Sequence, residues 1–139
     1  MSNRRQIEQR VIQAAESALY RQHYVSPLDV LLGMGSLKSS DLQDWRKGRV
    51  PYLEKVIQGS LGKISYAMKC FRSWAHKKGL KPSETAYLAR TRGPKRELQF
   101  SKSGDSKIEE AYRTHYVSPV LSEKKQEKLK EKLEEQSND

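Results

Sequence analysis

The chain has 139 residues, which is enough for one hydrophobic core. With 35% apolar and 32% charged residues, it has the composition of a polar globular protein rather than that of a membrane or fully disordered one. The single cysteine, Cys70, excludes an internal disulfide and a thiolate zinc site. The sequence shows no signal-peptide pattern and no apolar run of about 20 residues. We therefore expect a cytoplasmic protein with no membrane partner.

The net charge of +10 is concentrated in the middle of the chain. Residues 45–103 contain fifteen Lys and Arg against three acids, a local net charge of +12. The segments on either side are close to neutral. A concentrated positive field of this kind attracts polyanions, most often nucleic acid.

The first half of the chain predicts a series of helices. An apolar stripe at helical spacing indicates a helix from about Arg4 to Arg21, with Asn3 and Gln6 as a capping box. Ser26-Pro27 begins a second, short helix, and Ser39 or Ser40 begins a third that ends at Gly48. Short connections between these helices predict that they fold back on one another.

The longest apolar stripe predicts one amphipathic helix over about residues 51–79. Pro51 suits its first turn, and Gly79 suits the turn that follows it. Gly59 and Gly62 make its polar face smooth, which favours close approach by another helix or by a phosphate backbone. We expect this helix to organise the core.

After this helix the apolar period changes from 3.6 to 2. Residues 85–91 and 96–102 read as two strands of a β-hairpin, joined at Gly93-Pro94. Because an isolated hairpin is marginally stable, we expect it to lie on the helices. The predicted fold class is thus α+β, mainly α, with a single domain over residues 1–120 and a charged helical or mobile tail over 121–139.

An octapeptide occurs twice, as residues 20–27 and residues 112–119, and seven of its eight positions are identical. Its pattern is Tyr-Arg-x-His-Tyr-Val-Ser-Pro, with Gln22 in one copy and Thr114 in the other. Two interpretations remain open. In the first, each copy has only a structural role: it ends one helix, and its Ser-Pro begins the next element. Alternatively, the copies pack as a pseudo-symmetric pair whose Arg and His side chains bind one phosphate: Arg21, His23, Arg113 and His115.

The helices and hairpin over residues 26–102 resemble a winged helix-turn-helix in outline. In that family a short helix, a turn and a reading helix precede a hairpin called the wing. The resemblance implies a DNA-binding regulator in which residues 51–79 enter a groove.

We consider three functions. The favoured one is a binding protein, not an enzyme, that holds DNA or RNA mainly through phosphates. The second is a phosphate-processing enzyme, such as a nuclease or phosphodiesterase, that uses His23 and His115. The third is a protein adaptor, for example a homo-oligomer joined through Gly59 and Gly62. The residues expected to bind nucleic acid are Arg46, Lys47, Arg49, Lys55, Lys69, Lys77, Lys78, Arg90, Arg92, Lys95, Arg96 and Lys102.

No metal or cofactor site is expected. Asp105, Glu109 and Glu110 form the only acidic group that we considered as a metal site. Acids are favoured at a helix N-terminus by the helix dipole alone, and we interpret these three in that way.

Overall fold

The computed structural model describes residues 3–119 and confirms an α+β fold that is mainly helical. In chain order the elements are α1 (Arg4–Gln22), β1 (Tyr24–Val25), α2 (Pro27–Gly33), α3 (Ser39–Arg46), a 3₁₀ turn (Leu53–Lys55), α4 (Leu61–Lys77), β2 (Lys81–Glu84), α5 (Ser106–Arg113) and β3 (Thr114–Val117). None of the helices in this part of the chain is long and apolar enough to cross a membrane. The predicted tail over 121–139 lies outside the described residues.

The core forms where α1 packs against α2 and α4. The predicted capping box of α1 is confirmed. The Asn3 side chain accepts from the Gln6 amide at 2.9 Å, and the Gln6 side chain accepts from the Asn3 amide. Ser26 caps α2 as predicted, with Asp29 completing a second capping box. These caps satisfy amide groups that the first turn of a helix leaves without partners.

The predicted helix over 51–79 is shorter in the structure. Its first part is only the 3₁₀ turn, and α4 begins at Leu61 with Ser60 as its N-cap. Gly59 has φ +108°, a conformation that a right-handed helix cannot contain. A side chain at Gly59 would meet nothing within 4 Å, and at Gly62 the nearest neighbour is the Ser60 hydroxyl at 4.0 Å, so no other part of the described chain approaches either glycine closely.

The described residues also contain a three-stranded antiparallel sheet, of order β1-β3-β2, that the sequence did not predict. In it the two octapeptide copies pair with each other: Tyr24 lies opposite Val117 and Val25 opposite Tyr116. On the other edge of β3, Ser83 of β2 lies opposite His115. Pairing of the copies, which one interpretation of the repeat required, is therefore confirmed.

The predicted hairpin over 85–102 is present in reduced form. One isolated bridge joins Leu88 to Glu97, and two backbone hydrogen bonds flank it. The predicted alternation of faces is correct, because Tyr87, Ala89 and Leu98 are buried while Leu88 is exposed. We call residues 87–98 the hairpin below.

Candidate nucleic-acid interface

The base of the hairpin is fixed to α3 by aromatic side chains. The Trp45 indole Nε1 donates to the Gln99 carbonyl at 2.8 Å, and its ring lies 4.9 Å from that of Phe100 between centroids. Tyr87 meets Phe100 edge to face at 5.2 Å. Because Trp45 and Phe100 are fully buried, this contact holds the hairpin rigidly against the helix.

A buried carboxylate holds the backbone that follows the hairpin, at Phe100 and Ser101. Glu109 of α5 accepts from the Phe100 amide at 2.8 Å and from the amide and hydroxyl of Ser101, each at 2.7 Å. Asp105 caps α5, accepting from the amides of its first turn. Both acids therefore have structural roles, and within residues 3–119 no group of His, Cys, Asp or Glu could hold a metal ion.

Two hydrogen bonds to backbone carbonyls join the end of α3 and the turn after it to the hairpin. The Arg90 amide donates to the Arg46 carbonyl at 2.8 Å, and the Arg96 guanidinium donates to the Gly48 carbonyl at 3.2 Å. Gly48 has φ +76°, and a Cβ there would lie 2.7 Å from a nitrogen of Arg96. The backbone conformation favours glycine at this turn, whereas the flexible end of Arg96 could move away from a Cβ.

These bonds collect seven of the predicted cations in one region. We call it the corner–hairpin surface, and it contains Arg46, Lys47, Arg49, Arg90, Arg92, Lys95 and Arg96. The acids beside it are Asp29, Asp44, which pairs with Arg49 at 3.4 Å, and Glu97 on the hairpin. Cations exceed acids by four, so the surface is positive.

Arg46 is the least exposed cation of this surface. Its guanidinium lies over the Tyr87 ring, 5.1 Å from the centroid, a favourable cation–π contact. Burial lowers the pKa of Arg46 below its usual range, and the charge of Arg90 lowers it further. The tip residues Arg92 and Lys95 are exposed by contrast.

The remaining predicted cations lie on other elements. Lys69, Lys77 and Lys78 belong to α4 or its end, and Lys78 pairs with Glu16 of α1 at 2.7 Å. Lys55 ends the 3₁₀ turn. The structure packs α4 against α1 and α2, whereas it bonds the hairpin to α3.

Lys102 lies on a separate groove of about 770 Å³ between α4 and α5. Apolar side chains line most of it, including Ile64, Met68 and Phe71. Lys102, Arg72 and Lys107 lie among these lining residues as well. This groove is apolar in character and is distinct from the corner–hairpin surface.

The register of the sheet separates the two octapeptide histidines. The His23 carbonyl accepts from the Ser118 amide at 2.9 Å, at one end of the paired segment. His115 lies three residues before Ser118 in β3, about 10 Å along a strand at ~3.3 Å per residue. Arg113 is paired with Glu84 at 3.0 Å, while Arg21 is exposed at the end of α1. The pairing thus leaves the backbones of the two histidines apart, and a phosphate held by all four side chains stays a prediction.

Three residues beside the corner–hairpin surface were not among the predicted site residues: Tyr24, Asp29 and Tyr87. The octapeptide marked Tyr24, and Asp29 could have been found from its capping-box position three residues after Ser26. Tyr87 carried no signal beyond its place in a strand. Comparison of the chain with protein-family models, curated proteins and solved structures finds no significant match.

Proposed function

We propose that the protein binds nucleic acid, mainly through phosphate contacts made by the corner–hairpin surface. The observation that supports this is the pair of bonds from Arg90 to the Arg46 carbonyl and from Arg96 to the Gly48 carbonyl. They bring cations from two distant parts of the sequence into one region. Lys and Arg side chains arranged along such a surface neutralise successive phosphates and release counterions.

The rigidity of the support favours binding over a merely solvated basic surface. The Trp45 and Phe100 contact and the Glu109 carboxylate hold the hairpin before any ligand arrives. A pre-organised surface loses less conformational entropy on binding. Phosphate contacts carry no sequence information, so we propose weak sequence preference. Binding in the manner of a winged helix, with the hairpin as the wing, stays one interpretation of the corner–hairpin surface.

Salt titration tests the proposal. A labelled duplex and a labelled single strand of equal length are titrated with protein between about 50 and 200 mM salt. Six phosphate contacts would weaken duplex affinity by about 10³ over this range, with a linear plot of log affinity against log salt. A flat response, or no binding at about 50 mM salt, would contradict the proposal.

A further inference from the structure

A cleft of about 240 Å³ lies beside the corner–hairpin surface, where the first octapeptide copy, α2, α3 and the hairpin meet. Its apolar part is formed by Leu28, Leu32 and Leu42. Polar side chains line it at least as much as apolar ones, so the cleft offers hydrogen-bonding groups beside its apolar contact area. The strand β3 also contributes one lining residue to the cleft, His115.

Flat rings form one wall of the cleft. The rings of Tyr24 and His115 are parallel within 6°, with centroids 5.9 Å apart. Tyr87 meets His115 at 5.7 Å, and a hydrogen bond of 2.6 Å joins the Tyr87 hydroxyl to His115 Nε2. These contacts fix the orientation of the rings, so that a planar ligand meets a prepared stacking surface.

Two charged side chains of opposite sign also line the cleft. Arg46 supplies guanidinium donors, and Asp29 supplies a carboxylate held by the Ser26 amide at 2.9 Å and by Gln22 at 2.8 Å. A donor group and an acceptor group on one cavity suit the edge of a heterocycle that has both. Arg46 belongs to the corner–hairpin surface as well, so the cleft and the phosphate contacts are continuous.

We propose that this cleft accepts one unstacked nucleobase of a single strand whose phosphates lie on the corner–hairpin surface. The inference rests on the proposed function and specifies its ligand as single-stranded nucleic acid. A base inside a duplex cannot enter a cavity without leaving the stack. Stacking on aromatic side chains adds affinity for any base, because every base has a π-face.

The test compares two tyrosines of the same octapeptide copy. Tyr24→Leu removes one of the three rings of this wall, and Tyr20→Leu is the matched control because Tyr20 is 88% exposed and lies outside the cleft. Tyr24→Leu should weaken binding of a single strand by about 5- to 150-fold, the loss expected for one stacked base. Its duplex affinity and its salt slope should be unchanged, and Tyr20→Leu should bind both ligands as the unmodified protein does.

A second measurement does not depend on how a variant folds. The unmodified protein is titrated with a strand of equal length that contains only abasic sugar-phosphate residues. We expect this strand to bind more weakly than the intact strand by the same factor, with a similar salt slope. An abasic strand that binds as tightly as the intact one overturns the base cleft and leaves the phosphate surface standing, whereas no binding by any strand at about 50 mM salt overturns both.

Discussion

The two octapeptide copies share seven residues but fold differently. In the first copy α1 ends at Gln22, His23 adopts φ +64°, and the strand β1 contains only Tyr24 and Val25. In the second copy α5 ends at Arg113, and the next four residues form β3. The strand is longer there because it lies between β1 and β2 and is paired on both edges. Tertiary partners thus decide what the shared sequence becomes.

The one position that differs between the copies has a different role in each. The Gln22 side chain donates to the Asp29 carboxylate at 2.8 Å and to the Tyr24 carbonyl at 3.1 Å, which ties the end of α1 to the cap of α2. Thr114 begins β3, where a β-branched residue is favoured, and its hydroxyl donates to the Glu110 carbonyl at 2.8 Å. The difference in sequence therefore matches the difference in structure.

The largest expected contrast concerns the first tyrosine of each copy. Tyr112 is 4% exposed, stacks on Phe100 at 5.3 Å and donates to Glu54 at 3.0 Å, whereas Tyr20 is 88% exposed. Tyr112→Ala should lower the free energy of unfolding by about 3–5 kcal/mol, the cost of an aromatic residue removed from a core. Tyr20→Ala should change it by no more than about 0.5 kcal/mol. Urea unfolding measures both, and equal losses would refute the comparison.

The second prediction concerns how stability depends on pH. It arises at Tyr87, whose hydroxyl is hydrogen-bonded to His115 of the second copy, whereas within the described residues no residue of the hairpin bonds His23. Burial raises the pKa of Tyr87 to about 12, from an unfolded value of about 10. The folded state therefore keeps a proton that the unfolded state loses. The associated stability is complete below about pH 10 and is lost as pH rises from about 10 to 12, by up to about 2–3 kcal/mol. Burial raises the pKa of Tyr112 in the same direction.

Phenolate absorbance and circular dichroism, recorded together from pH 9 to 12.5, check this expectation. Part of the phenolate signal should appear only with loss of secondary structure. The variant Tyr87→Phe should lose less stability between pH 10 and 12 than the unmodified protein. An identical pH dependence in the two proteins would show that Tyr87 is not responsible.

The third contrast exchanges the differing residues. Gln22→Thr makes the two octapeptides identical and removes the hydrogen bonds to Asp29 and Tyr24, which should cost about 1–3 kcal/mol because one acceptor is charged. Thr114→Gln should cost less than about 1 kcal/mol, since it removes only one hydrogen bond and a strand preference at a partly exposed site. Thermal unfolding of both variants ranks them, and the reverse ranking would contradict the assigned roles.

The smallest contrast concerns the arginines. Arg113 pairs with Glu84 at 3.0 Å at the surface, so that Arg113→Ala should cost no more than about 1 kcal/mol. Arg21→Ala, at the exposed counterpart in the first copy, should be neutral within about 0.5 kcal/mol. Denaturation at about 1 M salt should remove the difference, because salt screens exposed ion pairs. A difference that persists at high salt would assign Arg113 a role beyond the ion pair.

The helices that the sequence predicted well were those with local signals. Asn3 and Gln6 marked the start of α1, and Ser26-Pro27 marked the start of α2. The predicted extension of α4 towards Pro51 was wrong because Leu53 and Ile57 continue the apolar stripe and reach the same core from a 3₁₀ turn and the residues after it. Periodicity alone does not separate these two cases.

The sheet could not be predicted because its strands are short and β2 carries no local signal. All four residues of β2 are exposed, so it has no apolar alternation, and it becomes a strand only by pairing with β3. The cations of the candidate interface were predictable from charge, but their grouping was not. This grouping depends on the hydrogen bonds that Arg90 and Arg96 donate to the carbonyls of Arg46 and Gly48. The bonded residues are more than forty positions apart in the sequence.

The central claim is that the corner–hairpin surface binds phosphates. It is tested most directly by the salt dependence of duplex affinity in two variants that each remove two exposed cations. These are Arg92→Ala/Lys95→Ala on the hairpin and Lys69→Ala/Lys77→Ala on α4. The hairpin variant should lower the slope of log affinity against log salt by up to about 0.9 for each phosphate that is no longer neutralised, and the α4 variant should leave it unchanged. A slope that falls only in the α4 variant would contradict the account and place the phosphate-binding side chains on that helix.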